Sequence, residues 1–241
     1  MLSPEARDIA ARPVPNENQR ELKFILPDGR VDLARGWLER ICRRDPEFPA
    51  AVVWTIYYDT SGLISLSEKI NSDYLKQKIR VRWYSDLDGR AAGPSFVEAK
   101  LRVGTRRTKV RARLPYPAEE LAGWDLQDPR LRALPMRLQE HGILARDFWQ
   151  PVMLIRYRRD RFIEPLSRSR VSLDADIASA AVNPTFLSAA DYTALGSAVL
   201  EVKGPGDELP LALRSLLQLE IRKSSFSKYL RVYSHMTRRL L

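Results

Sequence analysis

A strict two-residue alternation, sustained through three successive segments, constrains this chain most. In residues 78–85, Lys78, Arg80, Arg82 and Tyr84 alternate with Ile79, Val81 and Trp83. In residues 95–103, Glu98, Lys100 and Arg102 alternate with Val97, Ala99, Leu101 and Val103. In residues 107–114, Arg107, Lys109, Arg111 and Arg113 alternate with Thr108, Val110, Ala112 and Leu114. Period two puts each set on one face of a strand. Gly89, Gly93 and Gly104-Thr105 supply the turns between them, so spacing alone predicts an antiparallel meander.

Further strands are predicted over residues 19–26, 51–59, 151–163, 170–177 and 198–203. Over residues 170–177, Arg170, Ser172, Asp174 and Asp176 fall on one face and Val171, Leu173 and Ile177 on the other. A helix is predicted to follow Pro27-Asp28-Gly29, capped by Asp28 and running to about Arg44. Helical stretches are expected over 118–122, 128–140, 209–219 and 225–239. About eight strands with helices between and after them give an α+β class, mostly antiparallel. Residues 1–18, with three prolines and no periodicity, read as a flexible leader, and 19–241 as a single domain. No apolar run approaches the roughly 20 residues that span a bilayer and no secretory signal is evident, so the chain reads as cytoplasmic and soluble.

The 241 residues are 44% hydrophobic, enough for a sizeable core. One cysteine, Cys42, excludes a disulfide scaffold and a cysteine zinc site, and the two histidines leave little for a histidine metal site. Forty Lys and Arg against 30 Asp and Glu give a net charge of +10, with 31 Arg to 9 Lys. That excess suggests a polyanionic partner, against the bland alternative of a basic outer surface. The polar faces share one composition, basic residues with isolated acids. Three strands pair one acid with a lysine two residues on: Glu21/Lys23, Glu98/Lys100 and Glu201/Lys203. Such strands curled into a barrel would hold a few carboxylates among many cations, the donors needed for Mg²⁺ or Mn²⁺ on a polyphosphate.

At these residues the sequence resembles the VTC domain. This is the polyphosphate polymerase domain of the vacuolar transporter chaperone complex, with bacterial relatives, within the triphosphate tunnel metalloenzymes of the CYTH-like superfamily. The pieces occur in the family's order: Arg20-Glu21-Leu22-Lys23-Phe24, Tyr57-Tyr58-Asp59-Thr60, Glu68-Lys69, the 78–84 strand, Phe96-Val97-Glu98-Ala99-Lys100, Lys109-Val110-Arg111, Arg156-Tyr157-Arg158-Arg159, Arg170-Val171-Ser172-Leu173-Asp174, Val199-Leu200-Glu201-Val202-Lys203 and Ser227-Lys228-Tyr229. The resemblance implies an eight-stranded antiparallel β-barrel, open as a tunnel, with surrounding and C-terminal helices.

Position by position, the resemblance implies that Arg80 and Arg82 clamp phosphates and that Lys23 lies near the transferred phosphoryl group. Lys69, Lys78, Lys100, Lys109, Arg111, Tyr157, Arg159, Arg170, Lys203, Ser227 and Lys228 are implied as phosphate ligands. Glu201 resembles the family's metal-binding glutamate, with Glu21 and Glu98 as further metal candidates. The related triphosphatases carry Glu-x-Glu-x-Lys on the first strand. Here the earlier position is Gln19, which weakens a two-metal triphosphatase reading. Asp59 reads as a turn or salt-bridge residue, and Asp174 as an internal partner of Arg170 or another tunnel cation. Arg102, Arg106, Arg158 and Arg161 read as exposed charge.

The implied activity is synthesis of inorganic polyphosphate from ATP with Mn²⁺ or Mg²⁺. A triphosphatase or polyphosphatase and a non-catalytic polyphosphate or nucleotide sensor are the alternatives. Implied partners are ATP or another triphosphate, polyphosphate, phosphate, and a membrane-embedded protein encoded elsewhere, through which the chain would sit at the inner membrane. No Gly-rich phosphate loop is present. The basic strands lack the aromatic interleaving of a base-stacking platform, so no nucleic acid is expected.

Overall fold

A computed structural model describes residues 20–144, 148–188 and 193–237. The leader and Gln19 lie outside the described residues. Eight long strands carry the fold: β1 (Arg20–Pro27), β3 (Ala50–Asp59), β4 (Leu75–Ser85), β5 (Pro94–Val103), β6 (Arg106–Pro117), β7 (Gln150–Ile163), β8 (Arg170–Val182) and β10 (Ser197–Gly204). Three two-residue strands flank them: β2 (Arg43–Arg44), β9 (Thr193–Ala194) and β11 (Arg222–Lys223). All pairings are antiparallel, in the order β11-β1-β10-β8-β7-β3-β4-β5-β6.

The predicted meander is β4–β5–β6, with Arg80 opposite Glu98 and Glu98 opposite Arg111. The predicted closure into a barrel does not occur. No pairing among the described residues joins β6 to β1, so the sheet is curled but open. The outer edge of β1 is taken at Phe24 and Ile25 by β11.

The helices are α1 (Val31–Ile41), α2 (Ile64–Ile70), α3 (Ala118–Ala122), α4 (Pro129–Ala133) and α5 (Lys228–Thr237). Segments Leu134–His141 and Leu211–Leu219 are 3-10 helices, where the sequence predicted a continuation of one helix and a whole α-helix. Helix α1 ends before Arg44, because the chain turns extended at Cys42 and pairs Arg43–Arg44 with β7. Asp28 does not cap it: a 3-10 turn (Asp28–Arg30) intervenes, and neither helix start has a side-chain cap.

The convex face of the sheet is apolar and covered by helices. Leu22, Phe24, Leu26, Leu173, Leu200 and Val202 pack with Ala34 and Leu38 of α1 and with the 211–219 segment. Ile79, Val81, Trp83, Val97 and Ala99 pack with Leu121, Leu131 and Leu138. The concave face is divided. Val53, Tyr57, Met153, Ile155, Tyr157 and Val199 form an apolar floor on which α5 sits through Tyr229, Val232 and Tyr233. Strands β1, β10 and β7 then change character along that face. Ile25 gives way to Lys23 and Glu21, Val199 to Glu201 and Lys203, and Ile155 and Tyr157 to Arg159 and Arg161.

One β-bulge corrects the sequence-based faces of β8. Between the pairs Arg156–Ala178 and Arg158–Ala175 the register shifts, and Asp176 adopts φ +54°. The extra residue reverses the alternation. Ile177 therefore joins the concave floor with Val199, while Asp174 stays on the concave face and Asp176 turns to solvent. Aspartate tolerates this left-handed conformation better than most residues.

Candidate functional site

The charged half of the concave face holds two carboxylate-centred clusters. The first lies on β4–β6 around Glu98, which is 1% exposed. Its carboxylate meets Arg80 at 2.5 Å, Lys109 at 2.8 Å, Arg111 at 3.4 Å and Arg82 at 3.8 Å. Burial pushes this carboxyl up, but Arg80, Arg82 and Lys109 outweigh it and hold Glu98 well below the usual carboxylate range. Arg82 is buried and donates through Nε to Thr55 Oγ1 at 3.1 Å. Arg111 stacks 3.5 Å over the Phe96 ring.

The second cluster spans β1, β10, β8, β7 and the start of α5. Cross-strand neighbours Lys23 and Glu201 pair at 3.1 Å, and Lys203 and Glu21 at 3.5 Å. Lys23 also lies 3.8 Å from Glu21, so the two carboxylates flank one ammonium. Asp174, fully buried, binds Arg159 through two bonds of 2.6 and 2.7 Å and Lys228 Nζ at 2.5 Å. Asp174 is thus the internal partner of two cations of the concavity, Arg159 and Lys228. Glu201 lies 3.7 Å from Arg159. Burial raises both acids, yet the cations keep Asp174 lowered and Glu201 well below the usual range. Lys228 Nζ lies 4.4 Å from the centre of the Tyr157 ring.

The two clusters face each other across the curl. Lys100, on β5, is pulled far below the usual lysine value first by Arg80, then by burial, and it also feels Glu21, Lys203 and Lys23 from the opposite wall. The residue is exposed. Lys78 donates to Ser227 Oγ at 3.4 Å and Lys69, on α2, to Ser225 Oγ at 3.5 Å, so the segment entering α5 is tied to the far wall. Burial, with Lys69 and Lys23 nearby, lowers Lys78 to about 8.

The fold thus brings Lys23, Lys69, Lys78, Arg80, Arg82, Lys100, Lys109, Arg111, Arg159, Lys203, Ser227 and Lys228 to one basic concavity. Tyr157 lies beneath it at 1% exposure. Arg170 starts β8 opposite Lys203, exposed at the rim. Glu98 is not brought together with Glu21 and Glu201, and no three His, Cys, Asp or Glu gather into a metal cage among the described residues. Glu98 instead works as counter-charge to its four cations. Glu21 and Glu201 are hard oxygen donors of the kind Mg²⁺ takes in ones or twos beside phosphate, and Lys23 Nζ lies between them at 3.8 and 3.1 Å.

Arg161 was read as exposed charge, yet it lies on the concave face two residues beyond Arg159. It sits over the Phe48 and Tyr84 rings at 5.7 and 5.9 Å. The i, i+2, i+4 series Tyr157, Arg159, Arg161 was the signal for it. Arg158, on the convex face, pairs instead with buried Asp160 at 3.2 Å beside Arg35. Arg102 and Arg106 are exposed as expected. Asp59 acts as a turn residue. Its buried carboxylate accepts from the backbone N–H of Thr60, Ser65 and Leu66 at 2.8–3.2 Å and from Tyr229 Oη at 3.0 Å.

Among solved structures, a "putative adenylate cyclase" from Vibrio parahaemolyticus aligns with TM-score 0.47 and 10% identity over 89% of this chain and 97% of its own. A second protein so described, from Bacillus halodurans, aligns with TM-score 0.46 and 9% identity over 87% and 95%. A comparison with curated proteins gives no match. The sequence profile of the VTC domain matches residues 18–237. The matched span contains every strand of the curled sheet and both carboxylate clusters, and the chain belongs to the VTC domain family.

Proposed function

We propose that the chain synthesises inorganic polyphosphate from ATP on the concave face. The observation that carries this reading is the pairing of a cation-lined concavity with two carboxylates, Glu201 and Glu21, on one wall. A polyphosphate needs many cations along its length, and phosphoryl transfer needs positioning and charge neutralisation more than covalent catalysis. Arg80, Arg82, Lys100, Arg159 and Lys228 hold the triphosphate from both walls. Lys23, between Glu21 and Glu201, donates to the oxygens of the phosphoryl group in transit. The bond from the γ-phosphorus to the β,γ-bridging oxygen breaks, a bond from an acceptor phosphate oxygen forms, and ADP leaves. Mn²⁺ or Mg²⁺ held by Glu201 with Glu21 would supply further neutralisation of phosphate charge. Glu98 and Asp174 keep the arginines and lysines in place before substrate arrives.

The purified chain, incubated with ATP and Mn²⁺, is expected to yield ADP and long polyphosphate on a gel. Glu201→Gln is expected to lose turnover by at least about a hundredfold, in line with loss of one electrostatic group at a transferring centre, while triphosphate affinity persists. A clean preparation that makes neither product overturns the reading. The open seam favours one second reading. Lys109 and Arg111 are 48% and 38% exposed, so water reaches the site and would serve as acceptor in a triphosphatase. Phosphate release without chain growth would identify it.

A further inference from the structure

The tip formed by the start of β4 and the β5–β6 turn carries apolar side chains out into solvent. Tyr74 is 73% exposed, Val103 45% and Leu75 40%. Leu75 pairs directly with Val103, and the Tyr74 carbonyl accepts from Gly104 N at 2.9 Å. Gly104, at φ +59°, leaves room for the Tyr74 ring: a Cβ there would lie 2.7 Å from it. Leu144, 73% exposed, belongs to the same tip, since its carbonyl accepts from Gln77 Nε2 at 3.3 Å. Burying none of these groups in the fold is unusual for so contiguous a set. Arg102, Arg106 and Arg107, all exposed, follow immediately behind them, against one exposed acid, Asp73.

We infer that this tip docks on an anionic lipid surface. The apolar groups lie on both sides of the tip: Tyr74 shares the concave side, whereas Leu75 and Val103 point to the convex side. A protrusion apolar on both sides fits a soft layer that surrounds it. A tyrosine flanked by apolar residues suits the interfacial zone. The arginines set behind it suit anionic headgroups, which attract cations near the surface. Arg102 lies close enough to Lys69 to act on it, so docking sets the Lys69–Lys78 end of the concavity against the lipid. The inference stands whichever acceptor the site uses.

The test is co-sedimentation of the full chain with vesicles of phosphatidylcholine alone and of phosphatidylcholine mixed with phosphatidylglycerol. The wild type is expected to partition onto the mixed vesicles only. The variant Tyr74→Ser/Leu75→Ser/Val103→Ser, and separately Arg102→Gln/Arg106→Gln/Arg107→Gln, are each expected to lose at least about tenfold in partitioning. Arg90→Gln/Arg132→Gln/Arg137→Gln, which neutralises exposed arginines elsewhere, is expected to keep it. Far-UV circular dichroism checks each fold, and the arginine variant decides if the serine variant does not fold. No binding by the wild type overturns the inference. So does equal loss in the control variant, which would mean general attraction of a cationic chain. A concentration-dependent dimer abolished by the serine variant also overturns it, since a second copy would then be the occupant.

Discussion

Lysines are scarce in this chain, and their environments differ from those of ordinary surface lysines. Lys78 is lowered to about 8 by burial and by Lys69 and Lys23. A lysine whose value falls on folding binds its proton less well in the folded state. Stability from this group is therefore complete above the unfolded value near 10.5, falls as pH drops from there toward 8, and is lowest below 8. A bound polyanion reverses the cause, so triphosphate binding takes up protons. Calorimetry at pH 8.5 in buffers of different ionisation heat should show net uptake, reduced in Lys78→Met. The same variant, without ligand at pH 7, should melt higher by about 2–4 °C, the equivalent of about 1 kcal/mol in a chain of this size. Unchanged uptake and melting would mean that Lys78 does not sense the concavity. Lys78, Lys100 and Lys109 were legible in the sequence because alternation fixes a strand face, whereas Lys69 and Lys228, on helices, were named only through the family resemblance. Arg161 was missed although it obeys the same rule. Asp174 was seen as internal, but its partners come from β7 and α5, separations that local spacing cannot report.

At the level of elements, the strands were legible to within about five residues and helix α3 at both ends, whereas helix α2 was not. Helix α2 carries too few apolar positions to show a helical period, and its start is specified by Asp59, outside the helix. That carboxylate satisfies the free N–H groups of Ser65 and Leu66, the job an N-cap normally does. The same group accepts from Tyr229, whose ring stacks on Tyr57 at 5.2 Å. Asp59 thus fixes where α5 begins, and α5 begins with Lys228. Burial raises the Asp59 carboxyl against its four hydrogen bonds. Tyr229→Phe removes one of those bonds, at a cost of about 1 kcal/mol in stability. It should also weaken triphosphate binding severalfold. In a double-mutant cycle with Lys228→Ala the two losses should not add, because Tyr229 acts through the position of Lys228. Additive losses would make Tyr229 a purely structural residue. The bulge at Asp176 was equally invisible, since one inserted residue reverses the faces of β8 without any change in composition.

For the whole molecule, the concave face sets many cations against four carboxylates, Glu21, Glu98, Asp174 and Glu201. Half a sheet of like charge is held together by the apolar floor and the helices on the convex side. A polyanion relieves that repulsion. At a free triphosphate concentration about 100 times its dissociation constant, stabilisation of about 2.7 kcal/mol is expected, a rise of roughly 5–10 °C in melting temperature. High salt should reproduce part of the rise by screening, whereas a ligand-independent melting temperature would show that the concavity binds no triphosphate. Sequence alternation predicted eight strands and a charged interior. It did not predict the seam between β6 and β1, because pairing of the outermost strands joins segments far apart in the chain, which local alternation does not report. That seam decides how a polymer would leave. A closed pipe releases a growing chain only by its ends and favours long runs on one molecule. A gutter lets the chain lift out sideways at any step. The proposed polymerisation, carried out in such a gutter, would be distributive, with many chains growing together and a broad spread of lengths that shortens as salt loosens each grip.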